Sequence, residues 1–106
     1  MSEPSNYTSI GGQAIPMEIK HDSASRRFST WLDGHEAELV YRRQDVRLFI
    51  DHTGVPQAIG GRGVAGELVK AALDYARAEG LRVVPLCSYS AEYIRRHAEY
   101  TDLVDT

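Results

Sequence analysis

His52-Thr-Gly-Val-Pro-Gln-Ala-Ile-Gly-Gly-Arg-Gly-Val-Ala-Gly-Glu-Leu-Val-Lys-Ala-Ala-Leu-Asp-Tyr-Ala-Arg-Ala-Glu-Gly-Leu-Arg-Val-Val-Pro-Leu-Cys87 reads as strand end, glycine-rich turn, amphipathic helix, apolar strand and cysteine. Gly60, Gly61, Gly63 and Gly66 fall where a strand hands over to a helix. Glycine permits positive φ and lets a ligand approach the main chain. The first turn of the following helix has unpaired N–H groups and the positive end of the macrodipole, which suits phosphate oxygens. Arg62 adds a guanidinium. Gly61-x-Gly63-x-x-Gly66 fits the dinucleotide fingerprint literally, but the strands before it read as hairpins rather than as the start of a βαβ unit. A Walker loop is excluded, because no Lys-Ser or Lys-Thr ends the turn. A plain flexible connector remains the competing reading.

Val64, Leu68, Ala72, Tyr75 and Glu79 recur at helical spacing, with Leu68, Val69, Ala72 and Ala76 as the apolar stripe. Gly80 is the expected left-handed stop. Leu81 to Leu86 then has buried-strand character. Pro85 lacks an N–H, so strand pairing is expected to fail near Cys87 and leave a gap. Cys87 is the only cysteine, which rules out an intramolecular disulfide and matches a reduced intracellular protein. Two readings of it stand side by side. It is a small buried hydrophobe, or a thiolate favoured by the N-terminus of the helix expected from Ala91 to Tyr100.

The combination Gly-Arg-Gly-Val-Ala-x-x-Leu-Val from Gly61, the run from Ala72 through Pro85-Leu86-Cys87, and Tyr93-Ile-Arg-Arg-His-Ala-Glu-Tyr100-x-Asp-Leu-Val104 resembles small stand-alone GNAT-type acetyltransferase-like domains with an active-site cysteine. The resemblance spans about residues 17 to 104. It implies an α+β fold of the three-layer α/β type, a minimal GNAT fold with a twisted, mostly antiparallel sheet, a central helix and a C-terminal helix. Coenzyme A would lie where two strands splay apart, its pyrophosphate held by main-chain amides from Gly60, Gly61, Arg62, Gly63, Val64, Ala65 and Gly66. The superfamily pattern of Arg or Gln, two residues, Gly, one residue, then Gly or Ala falls on Gly60, Gly63 and Ala65. The departure is Gly60, where Arg or Gln is usual. Arg62 is the neighbouring side chain able to compensate. Ser88 and His97-Ala98 also depart from the family's habit, without touching the expected chemistry.

At 106 residues the chain is read as one domain spanning 16–106, with 42% hydrophobic residues, after an unstructured tail from Met1 to Ile15. A net charge of −3 argues against general nucleic-acid binding. The pairs Arg26-Arg27, Arg42-Arg43 and Arg95-Arg96 sit among acidic residues and read as solvated faces. The tail has no signal-peptide pattern, and no stretch reaches the ~18 apolar residues of a membrane span. A cytoplasmic monomer with no membrane partner is the expectation.

The sheet is expected to begin with Met17 to Lys20, then Arg27 to Leu32, joined through the hairpin signal Asp33-Gly34 to Glu38 to Arg43. Arg47 to Thr53 follows. Strict alternation puts Leu48, Ile50 and His52 on one side, with Phe49 and Asp51 on the other. That register makes His52 either a hydrogen-bonded core group or a general base across the gap from Cys87. His21, His35, His52, His97 and Cys87 show no ligand spacing, so no metal site is read. A serine hydrolase is excluded by the missing Gly-x-Ser-x-Gly elbow.

The resemblance implies an acetyl-coenzyme A-dependent N-acetyltransferase, with the pantetheine arm along the strand edge from Thr53 to Val55 and the thioester beside Cys87. Its acceptor would be a protein lysine, a peptide N-terminus or a small amine. Tyr89 is a candidate for lining the acceptor channel, whereas Tyr93 reads as part of a packed stripe with Ile94 and His97. The alternative functions are a non-catalytic coenzyme A or acyl-coenzyme A binding or sensing module, and a protein-interaction domain retaining only the fold.

Overall fold

The computed structural model describes residues 7–10 and 13–105. Its main sheet has five strands in spatial order β3-β4-β5-β6-β7, namely β3 (Lys20–Asp22), β4 (Arg27–Leu32), β5 (His35–Gln44), β6 (Arg47–Gly54) and β7 (Arg82–Pro85). The first four pair antiparallel, and β6 with β7 is parallel. A separate antiparallel pair, β1 (Tyr7–Ile10) and β2 (Gln13–Pro16), stands in the expected unstructured tail. The runs Tyr-Thr-Ser-Ile and Gln-Ala-Ile-Pro form this pair. The rest of that tail, residues 1–6 and 11–12, lies outside the described residues.

Between β6 and β7 runs α1 (Val64–Glu79), 16 residues long and about 24 Å from end to end. Leu68, Val69, Ala72, Leu73 and Ala76 are fully buried on one side of it. They meet Phe28 of β4, Ala37, Leu39 and Tyr41 of β5, and Leu48 and Ile50 of β6 in one core. Each buried Leu contributes about 1.5–3 kcal/mol by leaving water. Gly80 ends the helix at φ 70°, with Leu81 N–H donating to the Ala76 carbonyl at 2.8 Å.

The expected strand at Met17–Lys20 is displaced to Lys20–Asp22. Met17 is buried in the core, and the Thr30 hydroxyl donates to the Glu18 carbonyl at 2.7 Å, a side-chain bond in place of a ladder bond. Asp33 and Gly34 take φ 51° and 77°, the two left-handed residues of a type I′ turn joining β4 to β5.

The C-terminal helix, α2 (Ser88–Arg96), begins earlier than expected. It gives way at His97 to a 3-10 segment, Ala98–Leu103. Tyr93 and His97 stack at 3.9 Å, and the Tyr100 hydroxyl donates to Asp74 at 2.8 Å, clamping the chain end onto α1. α2 packs against α1 and against the ends of β6 and β7, completing the expected α+β fold. On the other side of the sheet Trp31, Arg42 and His52 are exposed. No described helix is long and apolar enough to cross a membrane.

Candidate active site

Parallel pairing of β6 with β7 stops at Ile50 and Pro85. The amides of Leu86 and Cys87 then both converge on the Ile50 carbonyl, at 3.1 and 3.0 Å. Proline's missing donor ends the ladder, as the sequence predicts. β6 continues to Gly54 without a partner on the β7 side, so a gap opens.

Beyond the end of β6 the chain runs through a short 3-10 turn into the glycine turn that opens α1. Gly61 and Gly63 adopt φ 80° and 79°, conformations that cost a side-chain-bearing residue about 1–2 kcal/mol. Gly60 is extended and donates to the Gln57 carbonyl at 3.0 Å. The first helical bond of α1 is Glu67 N–H to the Gly63 carbonyl at 3.1 Å. The amides of Gly61, Arg62, Gly63, Val64, Ala65 and Gly66 therefore have no hydrogen-bond partner among the described residues. Four of these residues, Gly61, Gly63, Val64 and Ala65, border a cleft of about 300 Å3 whose wall also includes Val55, Ile59, Gly60 and Tyr89. Six free donors at a helix start suit a pyrophosphate group well. Two other hollows, of about 410 and 560 Å3, lie around Tyr41–Tyr75 and Lys20–Trp31 and contain neither such amides nor the thiol.

Arg62 departs from its expected place at the cleft, and Gly66 has a packing role besides its amide. Arg62 does not line the cleft; its guanidinium is ion-paired with Asp33 in the β4–β5 turn. Gly66 lies inside α1, and a Cβ placed there would meet the Tyr89 hydroxyl and the Tyr93 ring at 3.4 Å. Gly66 thus sets the close approach of α1 to α2 in addition to offering an amide.

Cys87, just past the last β6–β7 pair, is the N-cap residue of α2, and it is partly buried. The sulfur lies 3.6 Å from the Thr53 hydroxyl oxygen. Burial pushes the thiol up, but the Ser90 amide, the Thr53 hydroxyl and the Tyr89 amide outweigh it, and the net value falls below that of an ordinary cysteine. The helix amides act here as nearby positive ends, without a formed capping hydrogen bond. Ser90 donates its hydroxyl to the Cys87 carbonyl at 2.7 Å, which holds the turn. Tyr89 and Val55 in the cleft wall each stand two residues from this pair.

His52 is not the partner of Cys87. β5 and β6 pair Tyr41 with Ile50, then Val40 with His52 and Leu39 with Thr53, so Asp51 is an extra residue. This bulge reverses the alternation. Thr53 takes the face shared by buried Leu39, and His52 turns to the exposed face with Val40. Strict alternation carries no signal of one inserted residue, so the facing of the Thr53 side chain toward Cys87 emerges only from the paired strands. Tyr93 is a packing residue: burial pushes its hydroxyl up to about 12, with Glu67 and Glu99 adding to the effect. Among the described residues no group of three or more His, Cys, Asp or Glu could hold a metal ion.

A family model described as GCN5-related N-acetyl-transferase matches residues 27–103. Protein NATD1 of Gallus gallus is 38% identical over 88 residues, covering 80% of this chain and 80% of that protein. The Homo sapiens protein of the same name is 38% identical over 88 residues, covering 80% and 78%. The solution structure of a GCN5-like candidate N-acetyltransferase from Staphylococcus aureus superposes with a TM-score of 0.66 at 33% identity, covering 83% of this chain and 87% of that one.

Proposed function

The chain belongs to the GCN5-related N-acetyltransferase family, and on that premise we propose that it binds acetyl-coenzyme A and transfers the acetyl group to an amine, with Cys87 at the thioester. What supports this reading is the set of free amides at the turn entering α1, on a cleft whose wall includes Tyr89, together with the partly buried Cys87 two residues before Tyr89, where the β6–β7 ladder has ended. Those residues fit the cofactor: amides for the diphosphate, the unpaired end of β6 at Thr53 and Gly54 with Val55 just beyond it for an amide-bearing arm, and a thiol for sulfur chemistry. Bound acetyl-coenzyme A supplies an activated acyl carbon.

Two routes use the same residues. In one, Cys87 thiolate attacks that carbon and the coenzyme leaves as its thiolate. The amine then attacks the acetyl-cysteine, the carbon–sulfur bond breaks, Cys87 is regenerated as thiolate, and the amine's proton passes to solvent. In the other, the amine attacks the acyl carbon directly, the carbon–sulfur bond to the coenzyme breaks, the Cys87 thiol donates its proton to the departing coenzyme thiolate, and the proton released by the amine returns Cys87 to the thiol through solvent. Thr53 holds a hydrogen bond to the sulfur in either case. His52, turned to the helix-free face, has a place in this reading only as a base for an amine arriving from that side. Mass spectrometry after mixing with acetyl-coenzyme A separates the routes. An acetyl adduct lost in Cys87→Ser supports the covalent route, and turnover without an adduct supports direct attack.

A second reading, a non-catalytic coenzyme A or acyl-coenzyme A sensing module, draws on Gly60 in the place of Arg or Gln and on Arg62 held away from the cleft. Thiol release with a panel of amines decides between them: none, despite measurable coenzyme binding, favours the sensor. In either case we read the protein as a cytoplasmic monomer, from its lone cysteine and composition.

A further inference from the structure

Arg62 is the only charged residue between Pro56 and Gly66, and it stands between the two left-handed glycines of the phosphate-type turn. Its side chain nevertheless leaves that turn to pair with Asp33, a residue twenty-nine positions earlier in the β4–β5 hairpin. We propose that Asp33 competes with the coenzyme's phosphates for Arg62, so that the affinity for coenzyme A is set by an ion pair that binding must break. This rests on the reading of the site given above and extends it to a residue outside the cleft.

Three observations carry the inference. First, both partners are open to water, with side-chain exposures of 45% for Arg62 and 60% for Asp33, so the pair is of the weak, exchangeable kind. A diphosphate offers the guanidinium more charge and a better bidentate match than one solvated carboxylate. Second, the main-chain position of Arg62 puts it at the free amides, yet its side chain contributes nothing to the cleft wall. The cation is near the ligand site and occupied elsewhere. Third, the turn itself does not demand a charge at position 33. A left-handed residue before glycine is served equally by Asn, so the carboxylate's contribution is separable from the turn's geometry. A binding-competent arrangement populated only part of the time lowers apparent affinity by that fraction.

The test is isothermal titration of coenzyme A into the full chain and into Asp33→Asn, Arg62→Ala and the double variant, with pantetheine as a phosphate-free probe. Asp33→Asn is expected to tighten coenzyme A about two- to five-fold, the range an exposed ion pair allows. Arg62→Ala is expected to weaken it about five- to ten-fold. The double variant should match Arg62→Ala, since no guanidinium remains to be released. Pantetheine binding should be the same in the parent and Asp33→Asn. Unchanged or weaker coenzyme A binding in Asp33→Asn, or tightening that persists without Arg62, overturns the inference while leaving the coenzyme site intact. Failure of the parent chain to bind coenzyme A overturns both the site reading and this extension of it.

Discussion

The Cys87 sulfur faces the Thr53 hydroxyl at 3.6 Å because one extra residue, Asp51, turns the end of β6 over. Without that bulge the imidazole of His52 would occupy the same face. The thiol's neighbour is therefore a neutral hydrogen-bonding group rather than a titrating base.

Thr53→Val removes one of the groups that lower the Cys87 pKa, so the thiol is expected to titrate at higher pH than in the parent. At neutral pH the rate of alkylation by iodoacetamide should fall several-fold, by about the thiolate fraction lost. Thr53→Ser, which keeps the hydroxyl, should restore the rate.

His52→Ala leaves that alkylation profile where it is, because the imidazole lies on the opposite face of β6. A thiol titration shifted by this substitution would place His52 back beside Cys87. Acetyl transfer to an amine, measured in parallel, reports whether His52 serves the acceptor.

The depressed Cys87 pKa also has a stability consequence. A group whose folded pKa lies below its unfolded value contributes stability above the unfolded pKa, and that contribution disappears as pH falls through the folded value. Cys87→Ser should therefore lose stability relative to the parent more at alkaline than at neutral pH. Urea denaturation at the two pH values measures the difference.

Gly63→Ala forces a Cβ onto a residue at φ 79°, with open space around it, so the cost is conformational rather than steric. About 1–2 kcal/mol of stability should be lost. Coenzyme A affinity should fall with it, because the turn that aligns the free amides relaxes. Chemical denaturation and titration together check both.

Tyr100→Phe deletes the hydroxyl bound to Asp74 at 2.8 Å while keeping the buried ring. The expected loss is about 1 kcal/mol. Faster amide exchange in Ala98–Leu103 would localise it to the segment clamped on α1.

Local features were readable in the chain itself. The helix from Val64 to Glu79 was legible because its apolar residues repeat at the helical period and Gly80 has few other uses at that point. Asp33-Gly34 marked its turn, and Pro85 marked the end of pairing, since each acts through its own covalent geometry. The Gly61 and Gly63 conformations belong to the same class.

Long-range choices were not. Whether Arg62 faces the cleft or Asp33 depends on bringing residues 33 and 62 together, which only the folded sheet does. Whether His52 or Thr53 meets Cys87 depends on a single inserted residue in one strand measured against another, a quantity that exists only once β5 and β6 are paired. The amino-acid order determined the turn, the helix and the parting strand because these are properties of neighbouring residues. Tertiary structure decided which side chains share the gap, because register and ion pairing are relations between distant segments and are set by packing.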